Sequence, residues 1–167
     1  SFLAILGAVQ QVHTIARELG KLDPSNATIY QANATAYSRR LRRLLAGALQ
    51  ELQDVDVSSV RVATVHEGYA YLFQELGLPL AAVVQPRHGI EPSARQLADT
   101  IDRIREAKIN LLFTEMDLQA KYVDTIYQET QCRVLKLSHM SSGEYTADRF
   151  ELDMRQNLDT IVGALAA

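Results

Sequence analysis

Apolar positions in the first third of the chain recur at steps of three and four residues. This spacing places an apolar face along a helix and predicts two amphipathic helices, over residues 2–19 and from residue 22 to about residue 53. Gly20 is placed to end the first helix. Asp23 is expected to cap the second, with Pro24 in its first turn, where a missing N–H costs nothing. The second helix should extend roughly 45 Å, which is typical of a strut between two parts of a protein.

From residue 60 onward, short apolar runs alternate with helical stretches. Strands are predicted over 60–65, 80–84, 109–114 and 132–137, and helices over 68–76, 93–107, 118–130 and 149–164. Alternation of this kind indicates parallel strands joined by right-handed crossovers. Because the strands are almost entirely apolar, helices should cover both faces of the sheet. The predicted fold is α/β: a four-stranded parallel sheet with helices on both faces, preceded by a long linker helix and one further N-terminal helix.

Three of the predicted strands end at residues that can bind a metal ion, namely His66, Glu115 and His139. The carboxyl ends of parallel strands meet at one edge of the sheet, which is also the edge where open α/β sheets bind ligands. Imidazole and carboxylate groups bind zinc, and also manganese or iron. Any one of these residues alone is better explained as a polar strand end emerging into water. The three together favour a metal site.

The composition of the chain argues against several classes of function. The 167 residues carry a formal net charge of −3 and a pI near 5.8, which gives no electrostatic footprint for nucleic acid or an anionic membrane. Cys132 is the one cysteine, so an intrachain disulfide and a cysteine-rich zinc site are excluded. The chain opens on an apolar run without a starting Met, and we interpret it as a fragment of a longer protein.

Two other interpretations of the same residues stay open at this point. A metal-assisted hydrolase could use His66, Glu115 and His139 with a zinc-bound water, although no His-Glu-x-x-His, Gly-x-Ser-x-Gly or phosphate-binding loop motif accompanies them. A flavodoxin-like regulatory module would need no metal. Acidic residues at the strand ends are too few for a receiver-like module of that type.

A series of motifs spread over nearly the whole chain resembles the zinc/manganese solute-binding proteins of ABC importers, the metal-binding lipoprotein family. Their order is far more specific than any one of them. The motifs are Leu22-Asp23-Pro24-Ser25-Asn26-Ala27 with Tyr30 and Tyr37, His66 with Tyr69, Gly89-Ile90-Glu91-Pro92-Ser93, Phe113-Thr114-Glu115, and the tail from Tyr145 through Met154, Asn157 and Ile161.

The resemblance implies a bilobed receptor without catalysis that captures one metal ion between its lobes and delivers it to an ABC permease. Residues 1–21 would be a helix from the edge of a missing N-terminal lobe, 22–54 the long linker helix, and 55–167 the C-terminal α/β lobe. The family takes one histidine from the missing lobe and further ligands from the positions of His66 and Glu115. It usually has an aspartate near the position of His139, so the histidine there is a departure from the pattern.

This resemblance carries further expectations about metal, location and partners. Two imidazoles and one carboxylate lean toward zinc over manganese as the transported ligand. Because structural zinc prefers four ligands, binding in the fragment should be weak or absent. The location would be extracytoplasmic, periplasmic or at the cell surface, with a lipid anchor left open. The apolar stripe of the first helix should find other cover, by self-association through that helix and the linker helix.

Overall fold

The computed structural model describes residues 1–65, 67–83, 93–115, 120–141 and 143–166, with Ala120 described by its backbone alone. The predicted α/β fold is confirmed in these ranges. In chain order the elements are α1 (Ile5–Leu22), a 3-10 turn (Pro24–Asn26), α2 (Ala27–Leu52), β1 (Val62–Thr64), a 3-10 turn (Glu67–Tyr69), α3 (Ala70–Glu75), β2 (Leu80–Val83), α4 (Ala94–Glu106), β3 (Leu111–Glu115), α5 (Ala120–Thr130), β4 (Arg133–Leu137) and α6 (Arg149–Leu165).

The four strands form one parallel sheet in the order β2-β1-β3-β4. Thr64 of β1 pairs with Phe113 of β3, which pairs in turn with Leu135 of β4. All four carboxyl ends therefore lie at the same edge. This is the parallel arrangement that strand and helix alternation predicted, since each crossover returns the chain to the opposite end of the sheet.

Alternate residues of the strands supply two hydrophobic cores on opposite faces of the sheet. Val62, Leu111 and Phe113 pack in the larger core with apolar side chains of α1, α2, α3 and α6. Ala63 and Leu112 point to the other face and pack with side chains of α4 and α5. Because successive strand side chains point to opposite faces, both layers of helices are buried against the sheet, as the apolar strands predicted.

The turn between α1 and α2 corrects two predictions. Gly20 does not end the first helix, which continues to Leu22. Its missing side chain instead permits close packing, because a Cβ there would lie 3.1 Å from Cβ of Ala27. Asp23 does not cap the next helix with its side chain. Its carboxylate accepts hydrogen bonds from Ser25, Asn26 and Tyr30, while the regular helix begins only at Ala27. The 26 residues of α2 span about 39 Å.

The apolar stripe of α1 is largely covered within this chain. Ile5, Val9 and Ala16 are buried, and the first two belong to the larger core together with side chains of α2 and α3. We expected this stripe to seek cover through self-association, and the hairpin of α1 with α2 already provides much of that cover. Four apolar side chains of α1 stay exposed, namely Leu6, Ile15, Leu19 and Leu22, and of these Leu19 belongs to the predicted stripe.

Side chains cap the beginnings of two helices. Ser93 and Gln96 form a reciprocal capping box at the start of α4. The amide groups of Ile5 and Leu6 at the start of α1 donate to the two carboxylate oxygens of Glu75, at 2.8 and 2.9 Å. This contact fixes α1 to the end of α3. No helix among the described residues has the length and apolar character to cross a membrane.

Candidate metal centre

Two of the three predicted metal ligands lie within the described residues. Glu115 is the last residue of β3 and is partly buried. His139 follows β4 by two residues and is also partly buried. His66 lies outside the described residues, as does His88 of the loop after β2. The described positions of Glu115 and His139 are those that the sequence predicted, at the carboxyl edge of the sheet.

Strand register brings the ends of β1, β3 and β4 to the same level. Glu115 pairs with Leu137, the last residue of β4. The amide of Val65 donates to the carbonyl oxygen of Phe113 at 3.0 Å, so the ladder between β1 and β3 continues one residue beyond Thr64. Polar side chains that follow these three strands therefore start from neighbouring positions on one rim.

Two aromatic rings meet the imidazole of His139 edge-on. Tyr69, in the turn after β1, has its ring centroid 6.3 Å from that of His139, and Phe2 approaches to 5.8 Å, both with an interplanar angle of 89°. The hydroxyl of Tyr69 donates to the carbonyl oxygen of Leu137 at 3.4 Å. The buried Tyr69 thus connects the segment after β1 to the segment after β4. Edge-to-face contacts of this kind favour one ring orientation.

The backbone beside His139 is held by polar side chains of α6. Asn157, which is 1% exposed, accepts from the Ser138 amide at 2.7 Å and donates to the Ser138 carbonyl at 2.8 Å. The Ser138 hydroxyl donates to Asp153 at 3.1 Å and accepts from the amide of Met140. Met140 has a backbone φ of 60°, in the left-handed region that residues other than glycine rarely adopt. The residues on both sides of His139 are therefore fixed in a tight turn.

The carboxylate of Asp153 accepts a second hydrogen bond, from Arg149. The Nε of Arg149 donates to Asp153 Oδ2 at 2.8 Å, one helical turn away on α6. This charged contact stabilises a carboxylate that is only 6% exposed. The network linking Arg149, Asp153 and Ser138 lies directly beneath the turn that carries His139.

These supporting residues were not predicted from the sequence, although a signal for two of them was present. Asp153 and Asn157 are four residues apart and fall on the face of α6 that also carries Met154, Leu158 and Ile161. Polar residues on an apolar helix face need partners, so they point to a buried contact. The contacts of Phe2 and Glu75 come from segments remote in sequence and left no such signal.

The donor set fits a divalent transition metal as cargo, with imidazole and carboxylate ligands. Cys132 does not add to it, because its thiol is buried and burial raises its pKa to about 12. Within the described ranges, no group of three or more His, Cys, Asp or Glu residues is close enough to hold a metal ion. His66 lies outside those ranges.

Comparison with known proteins shows which family this chain belongs to. The ZnuA family model, described as zinc-uptake complex component A, periplasmic, matches residues 2–164. The chain belongs to this family. That membership confirms the resemblance to the zinc/manganese solute-binding proteins of ABC importers, which are transport proteins.

Individual relatives extend the comparison. The solved structure of the SBP FpvC from Pseudomonas aeruginosa in complex with Mn²⁺ is 48% identical, with a TM-score of 0.89 over 98% of this chain and 61% of that chain. FpvC has also been solved with a Ni²⁺ ion, with 48% identity, a TM-score of 0.90, and coverage of 98% and 60%. The metal ABC transporter substrate-binding lipoprotein FimA of Streptococcus parasanguinis is 23% identical over 99% of this chain and 55% of its own length.

This chain therefore spans about half the length of the curated relatives that it matches. That proportion agrees with our interpretation of the sequence as a fragment. The relatives are metal-binding transport proteins, and none of those compared supports the metal-assisted hydrolase that the sequence left open. Their names include both zinc and manganese, so they support a divalent transition metal without choosing between the two.

Proposed function

We propose that this chain forms one wall of a metal-capture site, with His66, Glu115 and His139 as ligands. In the intact extracytoplasmic protein the site would bind a divalent transition metal and pass it to an ABC permease, without catalysis. The proposal rests on one observation above all: Glu115 ends β3 opposite Leu137, two residues before His139. His66 follows Thr64, the last residue of β1, by the same interval in the sequence.

Zinc is the metal that we favour. Two imidazole nitrogens and one carboxylate make a nitrogen-rich set, which suits zinc, whereas manganese prefers oxygen ligands. The Mn²⁺ and Ni²⁺ complexes of FpvC support a divalent first-row ion at a related site. Zinc also prefers four ligands, so a chain with three should bind it weakly. The fourth would come from the part of the protein that this chain does not include.

The domain organisation belongs to the same proposal. Residues 1–21 would come from the edge of the N-terminal lobe, 22–54 would form the linker helix, and 55–167 would form the C-terminal lobe. All four strands lie between Val62 and Leu137, which supports the last assignment. Arg40 of α2 and Glu151 of α6 form an ion pair at 3.2 Å, so the linker helix would be attached to the C-terminal lobe.

Metal titration of the intact protein by calorimetry tests the ligand set. We expect His66→Ala and His139→Ala each to weaken Zn²⁺ binding by at least about tenfold, since loss of even an outer-sphere partner costs ~10–100-fold in affinity. Glu115→Gln should weaken binding as well. His13→Ala is the control, because His13 lies on α1 and its ring contacts Ser38 and Gln31 instead. Unchanged affinity in both site variants would overturn the proposed site, and tighter binding of Mn²⁺ than Zn²⁺ would overturn the preference for zinc.

Delivery and location need the intact protein. Relatives named as substrate-binding lipoproteins support an extracytoplasmic site of action. Cells that lack the intact protein should grow poorly when divalent metals are chelated, and added zinc should restore growth. Growth equal to that of the parent strain under chelation would count against a role in metal uptake.

A further inference from the structure

The imidazole of His139 has a hydrogen-bond partner within its own turn. Its Nδ1 lies 3.1 Å from the hydroxyl oxygen of Ser141. Ser141 is held in turn, because the hydroxyl of Tyr145 donates to the Ser141 carbonyl at 3.3 Å. The backbone on the other side of His139 is fixed by Asn157 through Ser138. The turn therefore presents the Ser141 hydroxyl to one particular ring nitrogen.

We propose that Ser141 is a positioning residue for metal capture: its hydroxyl oxygen accepts the Nδ1–H of His139 and so assigns the metal to Nε2. This inference rests on the proposed role of His139 as a ligand. A histidine binds metal through the nitrogen that carries no proton, and the hydrogen bond at the other nitrogen selects which one that is. The opposite arrangement, in which the serine hydroxyl donates to Nδ1, would leave the proton on Nε2 and oppose coordination there.

The surroundings of the ring support this assignment. Phe2 and Tyr69 both meet the imidazole at 89°, which limits its rotation about the side-chain bond. A ring flipped by 180° would place the carbon Cδ2 where Nδ1 lies and would break the contact with Ser141. The aromatic contacts therefore hold the plane of the ring, and within that plane the serine hydroxyl selects the orientation with Nδ1 toward the turn.

The first test needs no metal. Long-range ¹H–¹⁵N correlation spectra of the 167-residue chain should show the proton of the neutral His139 ring on Nδ1. In Ser141→Ala the proton should move substantially to Nε2, and in Ser141→Thr, which keeps the hydroxyl, it should stay on Nδ1. Ser58→Ala is the matched control, since Ser58 is an exposed serine before β1, at the other edge of the sheet. A proton on Nε2 in the unsubstituted chain would overturn the proposal.

The second test measures coupling between the two residues by calorimetric titration of the intact protein with Zn²⁺. Ser141→Ala should weaken binding by about tenfold, at the lower end of the range for outer-sphere partners. In a His139→Ala background the same substitution should have no further effect, because its action passes through the imidazole. An equal loss in both backgrounds would show a structural effect and overturn the proposal. If His139→Ala left affinity unchanged, the proposed ligand set and this inference would both fail, whereas a loss of affinity in His139→Ala together with a proton on Nε2 would overturn this inference alone.

Discussion

Two polar side chains, Asp153 and Asn157, lie on the otherwise apolar inner face of α6 and hold the turn after β4. Without Asn157 the backbone amide and carbonyl of Ser138 would lose their partner, and without Asp153 the Ser138 hydroxyl would lose its acceptor. A buried polar group that loses its partner costs free energy, whereas the same group fully bonded specifies one local structure. The turn that carries His139 therefore depends on side chains about fifteen to twenty residues further along the chain.

Replacing Asn157 with leucine tests this dependence at the residue scale. The substitution keeps the volume but leaves the amide and carbonyl of Ser138 unpaired. We expect the free energy of unfolding to fall by more than about 2 kcal/mol, since each unpaired buried group costs about 1–3 kcal/mol. Urea denaturation measures the loss. Asn33→Leu, at an exposed position of α2, is the control and should change stability little.

At the scale of elements, the contact of Glu75 with the first turn of α1 joins two helices that are far apart in sequence. Ala4 precedes α1 and offers no side chain to cap it. The carboxylate of Glu75 takes that role from the end of α3, and it also places negative charge at the positive end of the α1 dipole. Phe2, which touches His139, lies just before this capped turn.

Glu75→Gln should therefore loosen the start of α1. We expect a loss of about 0.5–2 kcal/mol in the free energy of unfolding, the range found for loss of an N-cap. Hydrogen exchange at the amides of Ile5 and Leu6 should accelerate more than exchange elsewhere in α1. Glu106→Gln, at an exposed position of α4, is the control. Equal exchange at the first turn in the Glu75 variant and the unsubstituted chain would contradict the capping role.

Acid should destabilise the corner between α1 and α2, because it protonates the carboxylate of Asp23. Hydrogen bonds from Ser25, Asn26 and Tyr30 lower the pKa of its carboxyl group to about 2. A carboxyl group with a depressed pKa in the folded state stabilises that state above its unfolded pKa, about 3.9, and loses this contribution as the pH falls through the folded value.

Thermal unfolding as a function of pH measures this contribution. Asp23→Asn should unfold at a lower temperature than the unsubstituted chain above about pH 4, and the difference should shrink between about pH 4 and pH 2. Asp99→Asn, an exposed carboxylate of α4, is the control and should not show this pattern. A difference that stayed constant down to pH 2 would contradict the role of the ionised Asp23 carboxylate.

At the scale of the whole molecule, the exposed face of the α1–α2 hairpin is the feature with a consequence for assembly. Ile15, Leu19 and Leu22 follow one another at steps of four and three on α1, and they are 58%, 40% and 83% exposed. Ile29, near the start of α2, is 56% exposed. Exposed apolar side chains along this strip of α1 and the start of α2 favour association over a solvated monomer.

We expect the chain to self-associate through this strip as its concentration rises. Size-exclusion chromatography with light scattering should show the change in mass, and the double variant Ile15→Lys, Leu22→Lys should shift the population toward the monomer. Leu152→Lys is the control, because Leu152 is similarly exposed, at 54%, but lies on α6. A monomer at all concentrations for the unsubstituted chain would contradict the prediction.

The elements with the strongest pattern were predicted closely, and the errors lie where local rules compete with packing. The predicted strand over 132–137 is observed as Arg133–Leu137, and the helix over 149–164 as Arg149–Leu165. Gly20 was misjudged because glycine ends many helices, yet here it permits the close approach of Ala27. Its role could be assigned only once the packing of α1 on α2 was known.

Local sequence determined the periodicity of each element and the placement of Glu115 and His139 at strand ends. The alternation of strands and helices also determined that the strands run parallel. These follow from interactions between residues close in the chain and from which face of each element must be buried. Tertiary structure alone decided which distant side chains surround the His139 turn, since Phe2 and Tyr69 reach the imidazole, and Asn157 reaches Ser138, only after the sheet and its helices have packed. Contacts between remote segments depend on the whole fold, so no local pattern could have specified them.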